Sequence, residues 1–196
     1  TVEIDTGRGN KNFRIAQKLI LQIDDIQTPF YLFVSHWLSR LYCPENHAER
    51  SLLGIRLRDE IDNLFADDES AFVILLGDYN DEPFDESLVK QLTATRDKAL
   101  VKRKKSLLYN PFWRNLTYAD NDLNYAGTYY YKDGQTTKWH TFDQIIISAS
   151  FLTDNELLLN EIETGIIDIP GYLQQVLDRK TIFDHLPVKI KFEKVK

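Results

Sequence analysis

Four short segments of the sequence place acidic, amide or imidazole side chains beside an apolar, strand-like run. The residues concerned are two histidines, three aspartates and one asparagine: His36, Asp78, Asn80, Asp143, Asp184 and His185. Rigidly held carboxylate and amide oxygens suit the hard cations Mg²⁺ and Mn²⁺. If the strand ends meet at one rim of a sheet, these side chains predict a metal-assisted phosphoryl-transfer site.

The clearest of these segments is 72–81, which reads Phe-Val-Ile-Leu-Leu-Gly-Asp-Tyr-Asn-Asp. Its unbroken apolar run predicts a strand buried on both faces. Gly77, whose backbone is conformationally free, then allows the chain to turn into a polar loop. Taken alone, the loop is equally consistent with an ordinary turn, because Gly, Asn and Asp favour turns for backbone reasons. A lone histidine after a strand is likewise more often structural than catalytic. The prediction of a site therefore depends on the conjunction of the four segments.

The elements that would position these residues are mostly strands. Alternating, aromatic or β-branched runs predict strands at 17–24, 30–35, 72–76, 128–131, 141–148 and 187–192. Apolar residues at helical spacing predict a helix from about 45 to 65 and a short one at 85–92, whereas 157–169 is ambiguous. Several strands, few helices and polar strand ends predict a single domain, 1–196, built as an α/β sandwich with its site on one rim.

Composition places the chain among globular proteins, because its 196 residues are 43% hydrophobic and 28% charged. No apolar run is long enough to span a membrane, and no signal-like segment opens the chain. The single cysteine, Cys43, excludes an internal disulfide and favours a reducing, cytoplasmic compartment. The chain begins at Thr1 and contains no methionine, so we expect a processed or partial chain that could have lost a signal peptide.

The net charge of −6 argues against a general basic clasp for nucleic acid. A nucleic-acid substrate stays open, since positive charge can be local. The run 96–105 carries six Lys or Arg residues against the single acid Asp97. It is interpreted either as a solvated loop or as a loop that contacts phosphates.

Taken together, the four segments resemble the motifs of the endonuclease/exonuclease/phosphatase superfamily, which includes deoxyribonucleases, abasic-site endonucleases, sphingomyelinases and inositol polyphosphate phosphatases. The matching motifs stand in the family's order: Ser35-His36-Trp37, Gly77-Asp78-Tyr79-Asn80-Asp81, Phe142-Asp143-Gln144-Ile145 and Asp184-His185-Leu186-Pro187-Val188. The resemblance implies an α+β fold, the four-layer α/β sandwich of the deoxyribonuclease-like type, and a Mg²⁺ or Mn²⁺ cofactor. The runs 108–113 and 127–131 resemble a bacterial branch of unassigned substrate, whose aromatic residues would line the cleft or pack in the core.

The resemblance also implies catalytic roles. His185 would act at the scissile phosphate as a base or as a charge stabiliser, with Asp143 accepting a hydrogen bond that fixes its tautomer. Asp78 would orient or activate the attacking water, and Asn80 would hold a phosphate oxygen. His36 would donate to the phosphate or to the leaving oxygen.

Metal and substrate contacts are implied in the same way. Asp184 would bind the cation, and four residues would contact the substrate: Arg40, Asn110, Trp113 and Arg114. The family's N-terminal Asn and its metal-binding Glu are not visible in the sequence, so we expect a fold that is incomplete at its N-terminus and corresponds to the C-terminal portion of the domain. Two further departures touch no implied catalytic atom: Phe183 stands where Ser is usual, and Gln144 where His or Tyr is usual.

The leading hypothesis is a divalent-metal-dependent phosphodiesterase, a nuclease, in which Arg40, Arg114 and the run 96–105 track a phosphate backbone. The second is a phosphomonoesterase or phospholipase-type hydrolase on the same scaffold, because the fold does not choose between them. The third is a catalytically silent chain that binds a partner, because the metal-binding Glu is missing. The expected partner is thus a nucleic acid or another phosphodiester substrate, and the sequence predicts no oligomeric state.

Overall fold

Strands dominate the structure. The computed structural model of the protein describes residues 1–5, 12–24, 26–117, 125–153, 156–178, 180 and 183–195. In chain order the strands are β1 (Val2–Asp5), β2 (Asn12–Leu21), β3 (Phe30–His36), β4 (Phe72–Asp78), β5 (Ala94–Thr95), β6 (Leu108–Tyr109), β7 (Tyr129–Tyr130), β8 (Trp139–His140), β9 (Asp143–Ile147), β10 (Leu157–Leu159), β11 (Gly165–Ile166), β12 (Val188–Lys189) and β13 (Phe192–Lys194). The helices are α1 (Ala48–Asp67), α2 (Lys98–Arg103) and α3 (Tyr172–Leu177), with short π- or 3₁₀-helical segments at Ser87–Gln91, Pro111–Leu116 and Ala149–Phe151.

One mixed sheet of seven strands has the spatial order β1-β2-β3-β4-β9-β6-β5. β2 and β3 form an antiparallel hairpin. β3 and β4 run parallel, with α1 between them in the chain, and β9 returns antiparallel beside β4. This topology brings the last residues of β3 and β4 beside the first residue of β9, so polar side chains from three distant segments meet at one edge.

β4 is buried on both faces of the sheet, as its unbroken apolar run predicts. Val73 and Leu75 pack with the apolar residues beneath α1, whereas Phe72 packs in a second cluster on the opposite face. Because successive side chains of a strand point to opposite faces, a strand with both faces covered needs an apolar residue at nearly every position.

α1 covers one face of the sheet. Its buried side repeats every four residues: Leu53, Leu57 and Ile61. The helix begins at Ala48, because His47 occupies the N-cap position and its Nδ1 accepts a hydrogen bond from the Glu49 N–H at 3.4 Å. Within the described ranges, no helix is both long enough and apolar enough to cross a membrane.

Short strands cover the opposite face. β10 pairs with β13 and β11 pairs with β12, both antiparallel, and Leu157 packs with Phe30 and Phe72 of the main sheet. In the part of the chain that the structure describes, a helical layer, a mixed sheet and a layer of short strands therefore follow one another. This arrangement agrees with the predicted α+β class.

Two segments differ from the sequence-based predictions. The strand predicted at 187–192 is divided into β12 and β13, because the two halves pair with different partners. The basic run 96–105 is not a loop throughout: α2 occupies its centre, and the Asp97 carboxylate caps the helix by accepting from the Leu100 N–H at 2.8 Å. Among the basic residues of this run, Lys98 is paired with Glu161 at 2.7 Å.

Candidate active site

The edge where β3, β4 and β9 meet carries three of the predicted residues in one row. His36 pairs in register with Asp78, and Asp78 pairs with Asp143. Gly77 makes this close approach possible: its φ is +147°, and a Cβ there would lie 1.9 Å from the Ser35 carbonyl oxygen. Gly77 therefore helps to position the site residues, in addition to allowing the turn.

A histidine–carboxylate pair stands at the centre of this row. His185 Nδ1 lies 2.6 Å from Asp143 Oδ2, so the Asp143 carboxylate accepts a hydrogen bond from Nδ1–H and orients the ring. Nε2 then faces two other acids, at 4.0 Å from Asp78 Oδ2 and 3.7 Å from Asp184 Oδ1. The Tyr129 ring packs against the imidazole with 4.7 Å between centroids. The structure thus brings Asp78 and Asp143 to the adjacent pair Asp184 and His185, although these three segments stand far apart in the sequence.

The loop after β4 holds Asp78 and Asn80 against each other. Asp78 Oδ1 accepts from the Asn80 backbone N–H at 2.8 Å, and Oδ2 accepts from Asn80 Nδ2 at 3.0 Å. Asn80 Nδ2 also donates to the Trp37 carbonyl at 3.1 Å, and Asn80 has φ +51°. Because both groups bonded to Nδ2 are protein acceptors, a phosphate oxygen at Asn80 would have to replace one of them.

Burial and nearby charges shift the pKa values of this cluster. Burial raises the pKa of Asp78 above its ordinary value, and the Asp143 carboxylate raises it further, more than His185 lowers it. Burial lowers the pKa of His185, but the hydrogen bond and charge of Asp143 and the charges of Asp78 and Asp184 together raise it more, so the net pKa is raised. The cluster therefore favours a protonated imidazole beside carboxylates that repel one another.

This donor set fits a hard divalent cation. Asp78, Asp143 and His185 each offer a ligand atom, and these atoms all lie within 4.8 Å of one another. The mutual repulsion that raises the pKa of Asp78 is what a cation would relieve. Since Asp143 is engaged by His185, Asp78 and the largely exposed Asp184 are the carboxylates that would hold Mg²⁺ or Mn²⁺. When bound, such an ion neutralises charge on a phosphate and favours ionisation of water.

An open cleft of about 520 Å³ lies over the cluster. Its walls contain the predicted residues His36, Arg40, Asp78, Asn80, Asp184 and His185. The His36 side chain is 80% exposed and its Nε2 lies 3.7 Å from Asp78 Oδ2, so it stands at the mouth of the cleft. Tyr129 and Tyr131 line the same cleft, whereas Tyr130, between them, packs on Trp139. Successive side chains of an extended segment point to opposite faces, so Tyr129 and Tyr131 are the tyrosines of the run 127–131 that reach the cleft.

Arg40 links the cleft wall to the loop beneath it. Its Nε donates to the Asn80 carbonyl at 2.9 Å, and its Nη2 lies 2.5 Å from Asp85 Oδ2. The guanidinium also lies over the Phe142 ring, 4.8 Å from its centroid. Arg40 is thus placed to contact a substrate while it fixes the position of Asn80.

The structure does not bring the other three predicted substrate contacts to this cleft. Asn110 is fully buried, donating to Gln144 Oε1 at 2.7 Å and accepting from the Phe112 N–H at 3.0 Å. Trp113 packs beneath the Arg96 guanidinium at 4.9 Å, and Arg114 is exposed elsewhere. A polar residue beside an aromatic run can lie in the core as readily as in a ligand site. Its burial in the structure distinguishes the two cases, and the sequence does not show it.

Sequence reasoning missed several residues that line or support the site. Ser39, Leu41, His140 and Phe142 belong to the cleft wall. Gln144, noted as a departure from the family motif, is buried and its Nε2 donates to the Asp81 and Thr141 carbonyls at 2.7 and 2.8 Å. A signal for His140 was available, because it stands three residues before Asp143 in an aromatic strand-like run.

Replacing Asp143 with asparagine is expected to lower the pKa of His185. Asparagine keeps an acceptor for the Nδ1 proton but removes the charge that raises this pKa, while burial continues to lower it. The measurement is an NMR titration of the His185 imidazole protons in EDTA, with the His47 signal as internal reference. An unchanged or higher pKa in the variant would contradict the pairing of His185 with Asp143.

Comparison with known proteins supplies an independent result. Residues 7–181 match the model of the Endonuclease/Exonuclease/phosphatase family. Among solved structures, the chain is similar to the human Nocturnin catalytic domain with bound sulfate, with 19% identity and a TM-score of 0.53 over 92% of this chain and 53% of that one. This similarity confirms the predicted deoxyribonuclease-like fold class.

Two further structures are similar at lower scores. TDP2 of D. rerio complexed with a single-strand DNA product has 15% identity and a TM-score of 0.47, over 90% of this chain and 60% of that one. A functionally unknown conserved protein from Enterococcus faecalis V583 has 13% identity and a TM-score of 0.47, over 90% and 54%. The chain thus spans between 53% and 60% of the length of these three structures. A comparison with curated proteins returned no match.

Proposed function

Because the chain belongs to the endonuclease/exonuclease/phosphatase family, we propose that it is a divalent-metal-dependent phosphodiester hydrolase, acting as a nuclease. The observation that carries the proposal is the His185–Asp143 pair, whose free Nε2 faces Asp78 and Asp184 at one sheet edge. A tautomer-fixed imidazole beside two carboxylates combines a proton-transfer group with ligands for a cation.

The geometry of the site and the direction of the His185 pKa shift suggest separate roles for His185 and Asp78. The raised pKa of His185 favours the imidazolium, which donates a hydrogen bond to a phosphate oxygen and stabilises its developing charge. Asp78 Oδ2, in the cleft lining 4.0 Å from His185 Nε2, is placed to accept the proton of an attacking water. Of the two roles considered for His185, charge stabilisation is therefore the one we propose, and Asp78 is the proposed base.

A second candidate function is hydrolysis of small phosphate monoesters. The cleft lining, as far as the structure describes it, contains one permanently cationic side chain, Arg40, and this group is already bonded to Asp85. The net charge of the chain is −6. Neither observation suits a long polyanion, whose binding depends on many phosphate contacts.

The test is hydrolysis of plasmid DNA, bis(4-nitrophenyl) phosphate and 4-nitrophenyl phosphate with Mg²⁺, Mn²⁺ or EDTA. Both this chain and any longer form of the protein are assayed, because the family's metal-binding glutamate is not visible in this sequence. We expect both diesters to be cleaved with metal and neither with EDTA. The rate on plasmid should fall steeply with salt, because counterions are released from phosphates, whereas a small ester should respond far less.

Preference for the monoester, with little dependence on salt, would support the second candidate. Turnover that persists in EDTA would contradict the proposed metal dependence. Failure of both proteins on all three substrates would contradict the hydrolase proposal and favour the catalytically silent alternative.

A further inference from the structure

A second histidine–carboxylate pair lies in the wall of the cleft, at His140 and Glu82. His140 Nδ1 is 2.8 Å from Glu82 Oε1, and Glu82 Oε2 accepts from the Thr141 N–H at 2.9 Å. The side chains are 15% and 9% exposed. Both oxygens of a buried carboxylate are thus engaged, and one of them orients an imidazole that borders the cleft.

The ring of His140 is held more firmly than that of His36. It stacks on Phe142 with 4.8 Å between centroids and 19° between planes, and its Nδ1 is fixed by Glu82. His36, by contrast, is 80% exposed and approaches Asp78 no closer than 3.7 Å. An ordered imidazole makes a directional hydrogen bond at lower entropic cost than a mobile one.

The backbone at His140 is fixed as well. Its carbonyl accepts from the Thr128 N–H at 2.8 Å, and a Cβ at Gly127 would lie 2.5 Å from the same carbonyl oxygen. Thr128 Oγ1 in turn accepts from the Asp143 N–H at 2.9 Å. His140 is therefore tied to the strand that delivers Asp143, and the two histidine–carboxylate pairs keep a constant relation to each other.

We propose that His140, oriented by Glu82, is a substrate-binding residue that donates from Nε2 to a second phosphate, next to the phosphate that is hydrolysed. This inference rests on the proposed function, since it assigns the substrate class of the same cleft: a phosphodiester that carries a further phosphate. In this contact Nδ1–H donates to Glu82 and Nε2–H donates to the phosphate, so each ring nitrogen of His140 serves one anionic acceptor.

The position of His140 favours a second phosphate over the reacting one. The Tyr129 ring lies between the two histidines, at 4.7 Å from the ring of His185 and 6.2 Å from the ring of His140. The Tyr129 backbone also pairs with both histidines, so His140 and His185 belong to different segments on its two sides. The cleft volume of about 520 Å³ leaves room for more than one phosphate group.

Two substitutions of His140 separate its nitrogens. In His140→Asn the amide nitrogen replaces Nδ1 as donor to Glu82, but nothing replaces Nε2. In His140→Gln the longer side chain places an amide donor near the position of Nε2. Glu82→Gln removes the orienting charge, and His47→Asn is the matched control, because asparagine keeps the N-cap of α1 and His47 lies outside the cleft.

The assay compares a thymidine dinucleotide with one internal phosphate to the same dinucleotide with an added 5′- or 3′-terminal phosphate. We expect wild type and His47→Asn to show a higher kcat/KM for one of the phosphorylated forms. His140→Asn should lower that preference about tenfold or more, as befits a hydrogen bond to a charged group, whereas any loss on the unphosphorylated dinucleotide should be smaller. His140→Gln should restore part of the preference. Adding Glu82→Gln to His140→Asn should cause little further loss, because both act through one contact.

Binding of the same dinucleotides in EDTA, measured by calorimetry, tests the inference independently of turnover. If the wild type hydrolyses none of them, the proposed function fails, yet a selective loss of affinity for the phosphorylated form in His140→Asn would still support the second-phosphate contact. Equal losses on all dinucleotides would overturn the inference, since they would indicate a general structural role. An absence of any preference in the wild type would also overturn it.

Discussion

Replacing His185 with alanine is expected to lower the rate of phosphodiester hydrolysis by about two to four orders of magnitude, the range over which positioned proton-transfer groups contribute. The physical reason is that one side chain links the acids of the site. Its Nδ1 is bonded to Asp143 at 2.6 Å, while its Nε2 faces Asp78 and Asp184. Without the imidazole, the substrate loses a hydrogen-bond donor. The carboxylates of Asp78, Asp143 and Asp184 also lose the imidazole ring that lies between them.

The variant should still fold, because the His185 side chain is 30% exposed at the rim of the sheet, and it should lose some stability because the Asp143 carboxylate loses its partner. The measurement pairs steady-state hydrolysis of bis(4-nitrophenyl) phosphate with urea unfolding of the same preparation. His47→Asn serves as the control for loss of a histidine outside the cleft. A His185→Ala protein that folds normally and keeps more than about a tenth of the wild-type rate would contradict the proposed role.

Replacing Arg50 with methionine is expected to lower the free energy of unfolding by about 3–5 kcal/mol, the typical cost of leaving a buried charge without its partner. Arg50 is 2% exposed, and its guanidinium lies 3.1 Å from Asp81 Oδ1. It also donates to the Cys43 carbonyl at 2.9 Å and to the Leu38 carbonyl at 2.7 Å. Methionine fills much of the same space but satisfies none of these acceptors.

The matched control is Arg56→Met on the same helix, α1. Arg56 is paired with Glu60 at 2.7 Å but is 34% exposed, so its loss should cost at most about 1 kcal/mol. Both variants are compared with wild type by urea unfolding. Adding Asp81→Asn to Arg50→Met should recover part of the lost stability, because it removes the unpaired charge. Similar losses for Arg50→Met and Arg56→Met would show that the buried network contributes no more than a surface pair.

This buried network also connects stability to the site. Arg50 bridges the segment after β3 and the loop after β4, where Leu38 and Asp81 lie. Arg40 does so from the cleft side, through Asn80. The two segments that follow His36 and Asp78 are therefore held together, which fixes the spacing of these side chains before a substrate binds.

The main elements could be predicted from the sequence because their signals are local. An apolar residue at every position of 72–76 indicates a strand covered on both faces, and the four-residue repeat of Leu53, Leu57 and Ile61 indicates a helix with one buried side. The four polar segments were recognisable for the same reason, since each stands beside such a run. Order and residue type sufficed to name His185, Asp143, Asp78 and Asp184 as one candidate cluster.

What only the tertiary structure decided is which side chains face the cleft and what they touch. Asn110 turned out to bond with Gln144 in the core, while His140 turned toward the cleft with Glu82 behind it. Strands of two residues, such as β7, β8, β11 and β12, carry too few positions for a periodic pattern, and their limits depend on distant partners. Side-chain direction in such segments follows from pairing between residues far apart in the chain, and no local pattern encodes that pairing.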